Sequence, residues 1–128
     1  MDERYEEARR RAFDNLTSVA DDLRLFVTGE ADEDECGTPE EYGLDWERQV
    51  RDYVAGTVTY GHLLMAGGPG AEVRVTFDVE TCEVRSVAYS YSWGDELVTI
   101  PEQEMPHGAA DALRNYYATY YADLVAED

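Results

Sequence analysis

EVRVTFDVETCEVRSVAYSYSW, residues 72–93, is the stretch of this chain that decides its fold. Apolar and polar side chains alternate twice within it, with the apolar positions at Val73, Val75, Phe77 and Val79 and then at Val87, Tyr89, Tyr91 and Trp93. Alternation with a period of two is typical of a strand that has one buried face. The turn around 80–83 has the length of a hairpin connection, so the two strands are predicted to be antiparallel.

Two further strands are predicted on either side of this hairpin. VTYGHLLMA covers 58–66 and LVTI covers 97–100, joined to the hairpin by GGPG at 67–70 and by Gly94 and Asp95. GGPG is interpreted as a tight turn rather than a phosphate cradle, because strands flank it on both sides and no basic residue is near. The sequence therefore predicts four antiparallel strands between about 57 and 100.

Two helices are predicted outside the sheet. Apolar residues recur at intervals of three and four over 2–28 and again over 107–125, with two prolines in the connection 101–106. Glu6 and Arg10 are spaced for an ion pair along the first helix. Leu44 and Trp46 begin an ordered segment, a short helix or a strand. The fold class is α+β, a single domain over 1–128 whose four-stranded antiparallel sheet is flanked by an N-terminal and a C-terminal helix.

The charge of the chain is its most unusual property. Its 128 residues include 29 Asp and Glu, ten arginines and no lysine, which gives a formal net charge of −19. Residues 30–47 hold nine acids and no base, and an exposed acidic loop is predicted at about 30–41. Such an excess repels itself and opposes compaction at low salt.

This charge disfavours several classes of partner. Nucleic acids and anionic membranes are bound through clustered Lys and Arg, so neither is expected as a direct partner. No apolar run approaches the roughly 18 residues of a membrane span, and no signal segment is evident near the N-terminus. A cytoplasmic location is expected, in which Cys36 and Cys82 stay unpaired.

Neither a metal nor a cofactor is predicted. Asp32, Asp34 and Gly37 match three positions of an EF-hand loop, but Gly43 stands where a bidentate Glu is required. The two cysteines and two histidines lack zinc-site spacing. His62 alternates along a strand and is interpreted as a surface or satisfied core histidine. No catalytic motif is present, and the protein is not expected to be an enzyme.

Ten tyrosines are the other unusual feature of the composition. Tyr116 and Tyr120 share one face of the predicted C-terminal helix, and Tyr117 and Tyr121 lie about 100° away. We do not expect both pairs to point inward at the same time. Some of these tyrosines are therefore predicted to be exposed beside carboxylates, where Tyr is favoured at protein interfaces.

Three short motifs resemble a family of small uncharacterised proteins carried by phages and integrative elements. They are Leu-Leu-Met-Ala-Gly-Gly-Pro-Gly at 63–70, Val-Arg-Val at 73–75 and Tyr-Ser-Trp-Gly at 91–94. Met65 and Ala66 replace a Ser-Thr pair of the family pattern, and Ser92 replaces an Asp. The resemblance covers about two thirds of the chain and implies a mobile-element context. It implies no site residues.

These observations lead to a functional hypothesis of DNA mimicry. The protein is expected to bind and inhibit a basic nucleic-acid-binding protein of host defence, of the anti-CRISPR or anti-restriction type, by presenting carboxylates where DNA presents phosphates. Two alternatives stay open: a halophilic housekeeping domain whose acids maintain hydration, and a small enzyme with an unrecognised site. The predicted partner-binding residues form two acidic groups, Asp32, Glu33, Asp34, Glu35, Glu40, Glu41, Asp45 and Glu47, and then Asp95, Glu96, Glu102 and Glu104.

Overall fold

A computed structural model of the chain describes residues 3–30, 42–66 and 69–126. A long helix, α1 (Glu3–Thr28), precedes five strands: β1 (Asp45–Asp52), β2 (Thr57–Met65), β3 (Pro69–Asp78), β4 (Val84–Trp93) and β5 (Glu96–Pro101). A short 3-10 helix (Glu102–Glu104) and two helices, α2 (Ala109–Tyr120) and α3 (Ala122–Ala126), follow. The strands form one antiparallel sheet in the order β1-β2-β3-β4-β5. The α+β class and the antiparallel sheet with N- and C-terminal helices are thus confirmed.

The prediction of four strands is wrong, because β1 adds a fifth at the edge of the sheet. Its sequence DWERQVRD lacks the alternation that marks the other strands, since nearly all of its residues are exposed. A register shift between Arg48 and Val50 interrupts the pattern further. Only Trp46 reaches the core, where its ring stacks on Tyr60 with centroids 4.8 Å apart.

The core lies between one face of the sheet and the helices. Ala71, Val73, Val75 and Phe77 of β3 are buried, whereas the polar residues between them lie on the opposite face. Leu16 and Leu23 are fully buried on α1, as the spacing of three and four predicts.

The C-terminal helix departs from its prediction in two respects. It begins at Ala109, and Tyr121 leaves the helical conformation at φ −120°, so α3 is a separate turn. Tyr116 and Tyr117 are fully buried and Tyr121 is 5% exposed, while Tyr120 is half-buried. The expectation of tyrosines exposed on this helix is therefore wrong. The break after Tyr120 and the packing of α2 against both α1 and β4 provide apolar surroundings on more than one side.

Candidate functional site

The first predicted acidic group lies mostly outside the described residues. Asp32, Glu33, Asp34, Glu35, Glu40 and Glu41 belong to that part of the chain, as does most of the predicted acidic loop. Asp45 and Glu47 open β1 and are both exposed. They point to the same side of the strand, because successive side chains alternate between faces. Their positions are about 6.8 Å apart, since each residue of an antiparallel strand advances about 3.4 Å.

The second predicted group is divided by the fold. Asp95 and Glu96 lie at the turn between β4 and β5, whereas Glu102 and Glu104 follow the far end of β5. A six-residue strand spans about 20 Å. These four acids are neighbours in sequence but do not form one cluster.

Glu102 has a structural partner. Its carboxylate accepts hydrogen bonds from Nε and Nη2 of Arg114 at 2.5 and 2.9 Å, and one from the backbone N–H of Val87 at 3.3 Å. The Arg114 guanidinium lowers the pKa of Glu102, although partial burial opposes this shift. Glu102 therefore holds α2 against the sheet and is less available to a partner than Asp95 or Glu104.

The register of the sheet brings Asp45 and Glu96 to one end of it. β1 and β5 both begin at the end where β2 and β4 finish, because Asp45 pairs with Leu63 and Glu96 pairs with Trp93. The two acids lie on opposite edges, about 19 Å apart across four strand spacings. Carboxylates from both predicted groups thus flank the same end of a rigid sheet.

Beside Glu96 the structure forms a pocket that the sequence did not predict, although Asp95 and Glu96 of the second group line it. We call it the Trp93 pocket; it has a volume of about 440 Å³ and is lined by Glu3, Arg4, Glu7, Trp93, Gly94, Asp95 and Glu96. The first two turns of α1 form one wall, and the β4–β5 turn forms the other. The indole of Trp93 is the apolar part of the lining.

The carboxylates around the Trp93 pocket differ in whether they form ion pairs within the protein. Glu7 pairs with Arg10 and with Arg11, and the hydrogen bond from Arg10 is the main cause that lowers the pKa of Glu7. The guanidinium of Arg11 also lies over the Trp93 ring, 3.9 Å from its centroid. Among the described residues, Glu3, Asp95 and Glu96 form no ion pair.

The sequence identified two of the four carboxylates that line this pocket. Asp95 and Glu96 were predicted partner-binding residues, whereas Glu3 and Glu7 were not, and Trp93 was placed among the apolar positions of a strand. The predicted pair Glu6–Arg10 is replaced by Glu7–Arg10. No local signal shows that α1 begins next to a turn some 90 residues later, so only the tertiary contact reveals the site.

Most of the arginines are occupied within the protein. In the described ranges, six arginines form ion pairs with five carboxylates: Arg10 and Arg11 with Glu7, Arg24 with Asp21, Arg74 with Glu72, Arg85 with Asp78, and Arg114 with Glu102. Arg85 lowers the pKa of Asp78 to about 2, helped by two backbone N–H groups of the same turn. Several exposed acids form no ion pair with an arginine among the described residues. They include Asp45, Glu47, Asp95 and Glu104.

His62 is a core histidine, one of the two readings that the sequence left open. It is 1% exposed, and its two ring nitrogens lie 2.6 Å from the Tyr117 hydroxyl and 2.8 Å from the Tyr42 carbonyl oxygen. Within 3–30, 42–66 and 69–126, no group of three or more His, Cys, Asp or Glu residues is arranged to hold a metal ion.

Comparison with known proteins identifies no relative: no protein family, curated protein or solved structure matches this chain. The resemblance to phage and integrative-element proteins therefore stays a prediction. In the part of the chain that the structure describes, none of the helices has the length and apolar character needed to span a membrane.

Proposed function

We propose that this protein is an acidic inhibitor that occupies the DNA-binding groove of a basic nucleic-acid-handling protein, as an anti-CRISPR or anti-restriction protein of a phage or mobile element would. One observation carries the proposal. The arginines are largely consumed by internal ion pairs, whereas Asp45, Glu47 and Asp95 are exposed and lack such pairs among the described residues. Those carboxylates are free to meet the cations of a partner.

The arrangement of these acids supports the proposal. A DNA strand carries one phosphate per about 3.4 Å of helix axis. The spacing of about 6.8 Å between Asp45 and Glu47 corresponds to two such steps. Strands hold acids at defined positions at less entropic cost than a loop would, because their backbone is already ordered. Electrostatic attraction would also accelerate association with a positively charged groove.

The test is displacement of DNA. A labelled duplex is bound to a restriction enzyme, a CRISPR effector or a basic nuclease, and the protein is titrated in while fluorescence anisotropy is recorded. We expect the protein to release the duplex, and the inhibition constant to weaken steeply as salt rises, because screening shortens the reach of exposed charges to about 8 Å at physiological ionic strength. No release from any enzyme of these three classes at low salt would contradict the proposal.

Two variants of equal charge distinguish a specific surface from bulk acidity. The first carries Asn and Gln at Asp32, Glu33, Asp34, Glu35, Glu40 and Glu41. The control carries Asn and Gln at six exposed acids that form no ion pair in the described residues: Glu6, Asp14, Glu80, Glu83, Asp111 and Asp123. We expect the first variant to lose at least about tenfold in inhibition, equivalent to 1.4 kcal/mol, and the control to lose much less. Equal losses would show that only net charge matters.

A halophilic hydration surface is the second candidate, and the distribution of acids favours it. Exposed Asp and Glu occur on α1, on β1, in the β3–β4 turn and on both C-terminal helices. A surface adapted to high salt spreads its acids in this way, since each one serves to retain water. Under this alternative no partner is required, and the stability of the fold depends on salt.

A further inference from the structure

We infer that the Trp93 pocket receives an arginine side chain of the basic partner. This inference rests on the proposed function for the existence of that partner, and adds the residue that the partner inserts. A pocket of about 440 Å³ lies within the range of about 300–1,000 Å³ that is usual for small-ligand sites. The pocket is open at the surface, so it can accept a side chain from another protein.

The lining of the pocket complements a cation. Four carboxylates, from Glu3, Glu7, Asp95 and Glu96, line it together with the guanidinium of Arg4, and the guanidinium groups of Arg10 and Arg11 lie beside it on Glu7. Glu7 is engaged by Arg10 and Arg11, which leaves three carboxylates to receive a ligand. The three remaining carboxylates outnumber the one guanidinium in the lining, so the pocket favours a cationic ligand over phosphate or a carboxylate.

The aromatic wall favours arginine over lysine. The planar guanidinium stacks on aromatic rings and can donate two parallel hydrogen bonds to one carboxylate, whereas the ammonium of lysine is a compact, strongly hydrated charge. The protein itself contains this contact, since Arg11 lies 3.9 Å from the centroid of the Trp93 ring. Arg11 covers one face of the Trp93 ring, so an incoming guanidinium would contact only the part of the indole that lines the pocket.

The experiment uses the full chain and a peptide with one cation, acetyl-Gly-Arg-Gly-amide. Its binding is followed by two-dimensional NMR at physiological ionic strength, where the indole N–H of each tryptophan gives a separate signal. The signal of Trp93 should shift and saturate together with the amides of Gly94, Asp95 and Glu96. Trp46, which stacks on Tyr60 in the core, is the internal reference and should not move. The matching citrulline peptide, similar in shape but uncharged, should produce no shift.

Two double variants test the lining. Asp95→Asn with Glu96→Gln removes two charges from the pocket and should weaken binding by about three- to tenfold, because ion pairs at such exposed or half-exposed side chains contribute about 0.2–1 kcal/mol each. Glu80→Gln with Glu83→Gln removes two exposed charges from the β3–β4 turn and should change binding less than about twofold, because exposed charges act weakly at a distance. Both variants replace exposed or half-exposed side chains, so their spectra should retain the dispersion of the folded protein.

The outcomes separate this inference from the proposed function. Saturable shifts confined to the pocket, weakened by the pocket variant alone, support the inference. Shifts spread over all acidic regions, equal weakening by both variants, or binding of the citrulline peptide would overturn it. DNA displacement that persists without pocket binding would refute only the arginine pocket. Pocket binding without DNA displacement from any enzyme would refute DNA mimicry and leave a site for arginine side chains.

Discussion

At the scale of single residues, His62 shows how a polar side chain is accommodated in this core. A carbonyl oxygen can only accept a hydrogen bond, so the contact with Tyr42 assigns the proton to Nε2 of His62. The Tyr117 hydroxyl then donates to Nδ1. Burial lowers the pKa of His62, although the Tyr42 carbonyl opposes this shift. Burial is also the main cause that raises the pKa of Tyr117. Both groups are therefore held neutral at physiological pH.

We expect the stability of the protein to fall as the pH drops below about 6.5 through the titration of His62. The folded-state pKa is lowered, so in this range the unfolded chain binds a proton that the folded protein does not. This contribution is fully present above the unfolded pKa and disappears as the pH falls towards the folded one. Its slope approaches at most about 1.4 kcal/mol per pH unit.

Urea unfolding at pH 7.5, 6.5 and 5.5 measures this effect, with His62→Gln as the test variant and His107→Gln as the control. The carboxylates are the same in all three proteins and cancel in the comparison. The wild type should lose stability relative to His62→Gln as the pH falls, and the exposed His107→Gln variant should follow the wild type. Parallel curves for wild type and His62→Gln would contradict the interpretation.

At the scale of elements, α2 is held to the sheet by the ion pair and hydrogen bonds of Arg114 as well as by its buried tyrosines. Beyond its contacts with Glu102, Arg114 donates from Nη1 to the carbonyl of Val84 at 3.0 Å and from Nη2 to the carbonyl of Arg85 at 2.7 Å. One side chain therefore joins α2 to the beginning of β4 and to the 3-10 turn after β5. Tyr120 adds a contact to α1, because its hydroxyl donates to the carbonyl of Phe26 at 2.9 Å.

Replacing Arg114 should destabilise the fold more than replacing a surface arginine. Arg114→Gln leaves the partly buried Glu102 without its cation and should cost about 1.5–3 kcal/mol, the usual range for hydrogen bonds to charged groups. Arg24→Gln is the control, because Arg24 and Asp21 form an exposed pair one turn apart on α1, and such a pair contributes about 0.2–1 kcal/mol. Denaturant unfolding at pH 7 measures both losses. Equal losses of unfolding free energy for the two variants would show that the contacts of Arg114 stabilise the fold no more than an exposed ion pair does.

At the scale of the whole molecule, the net charge of −19 is the dominant property. Self-repulsion opposes the compact state, and salt reduces that repulsion. The same acids therefore create a cost in stability whether they serve a partner or a hydration layer. The two proposed roles differ in how strongly the melting temperature of the protein is expected to depend on salt.

We expect the protein to be folded in low salt and to gain only about 5 °C in melting temperature on going to molar salt, equivalent to about 1 kcal/mol. The six-residue variant of 32–41 should melt near the wild type under both conditions. The halophilic alternative predicts unfolding in low salt, a large gain in molar salt and a clear stabilisation of the variant in low salt. Melting curves followed by circular dichroism separate these outcomes, and the second pattern would remove the support for DNA mimicry.

The sequence by itself determined the helices and strands in which buried and exposed side chains alternate regularly. The helix 2–28 and the strands within 57–100 were predictable because each has one buried face, which imposes a period of 3.6 or 2 on its apolar residues. The acidic surplus and the candidates Asp45, Glu47, Asp95 and Glu96 were also apparent from composition and spacing.

Only the tertiary structure decided features whose partners are distant in the chain. The segment that begins at Leu44 and Trp46 was left open as a short helix or a strand, because an edge strand such as β1 buries little and so carries no period. The C-terminal tyrosines were predicted to be partly exposed because a helix in isolation has two such faces, whereas α2 is packed from several sides and breaks at Tyr121. The Trp93 pocket depends on the approach of Glu3 and Glu7 to the β4–β5 turn. Long-range packing brings these groups together, and a local pattern in the sequence does not encode it.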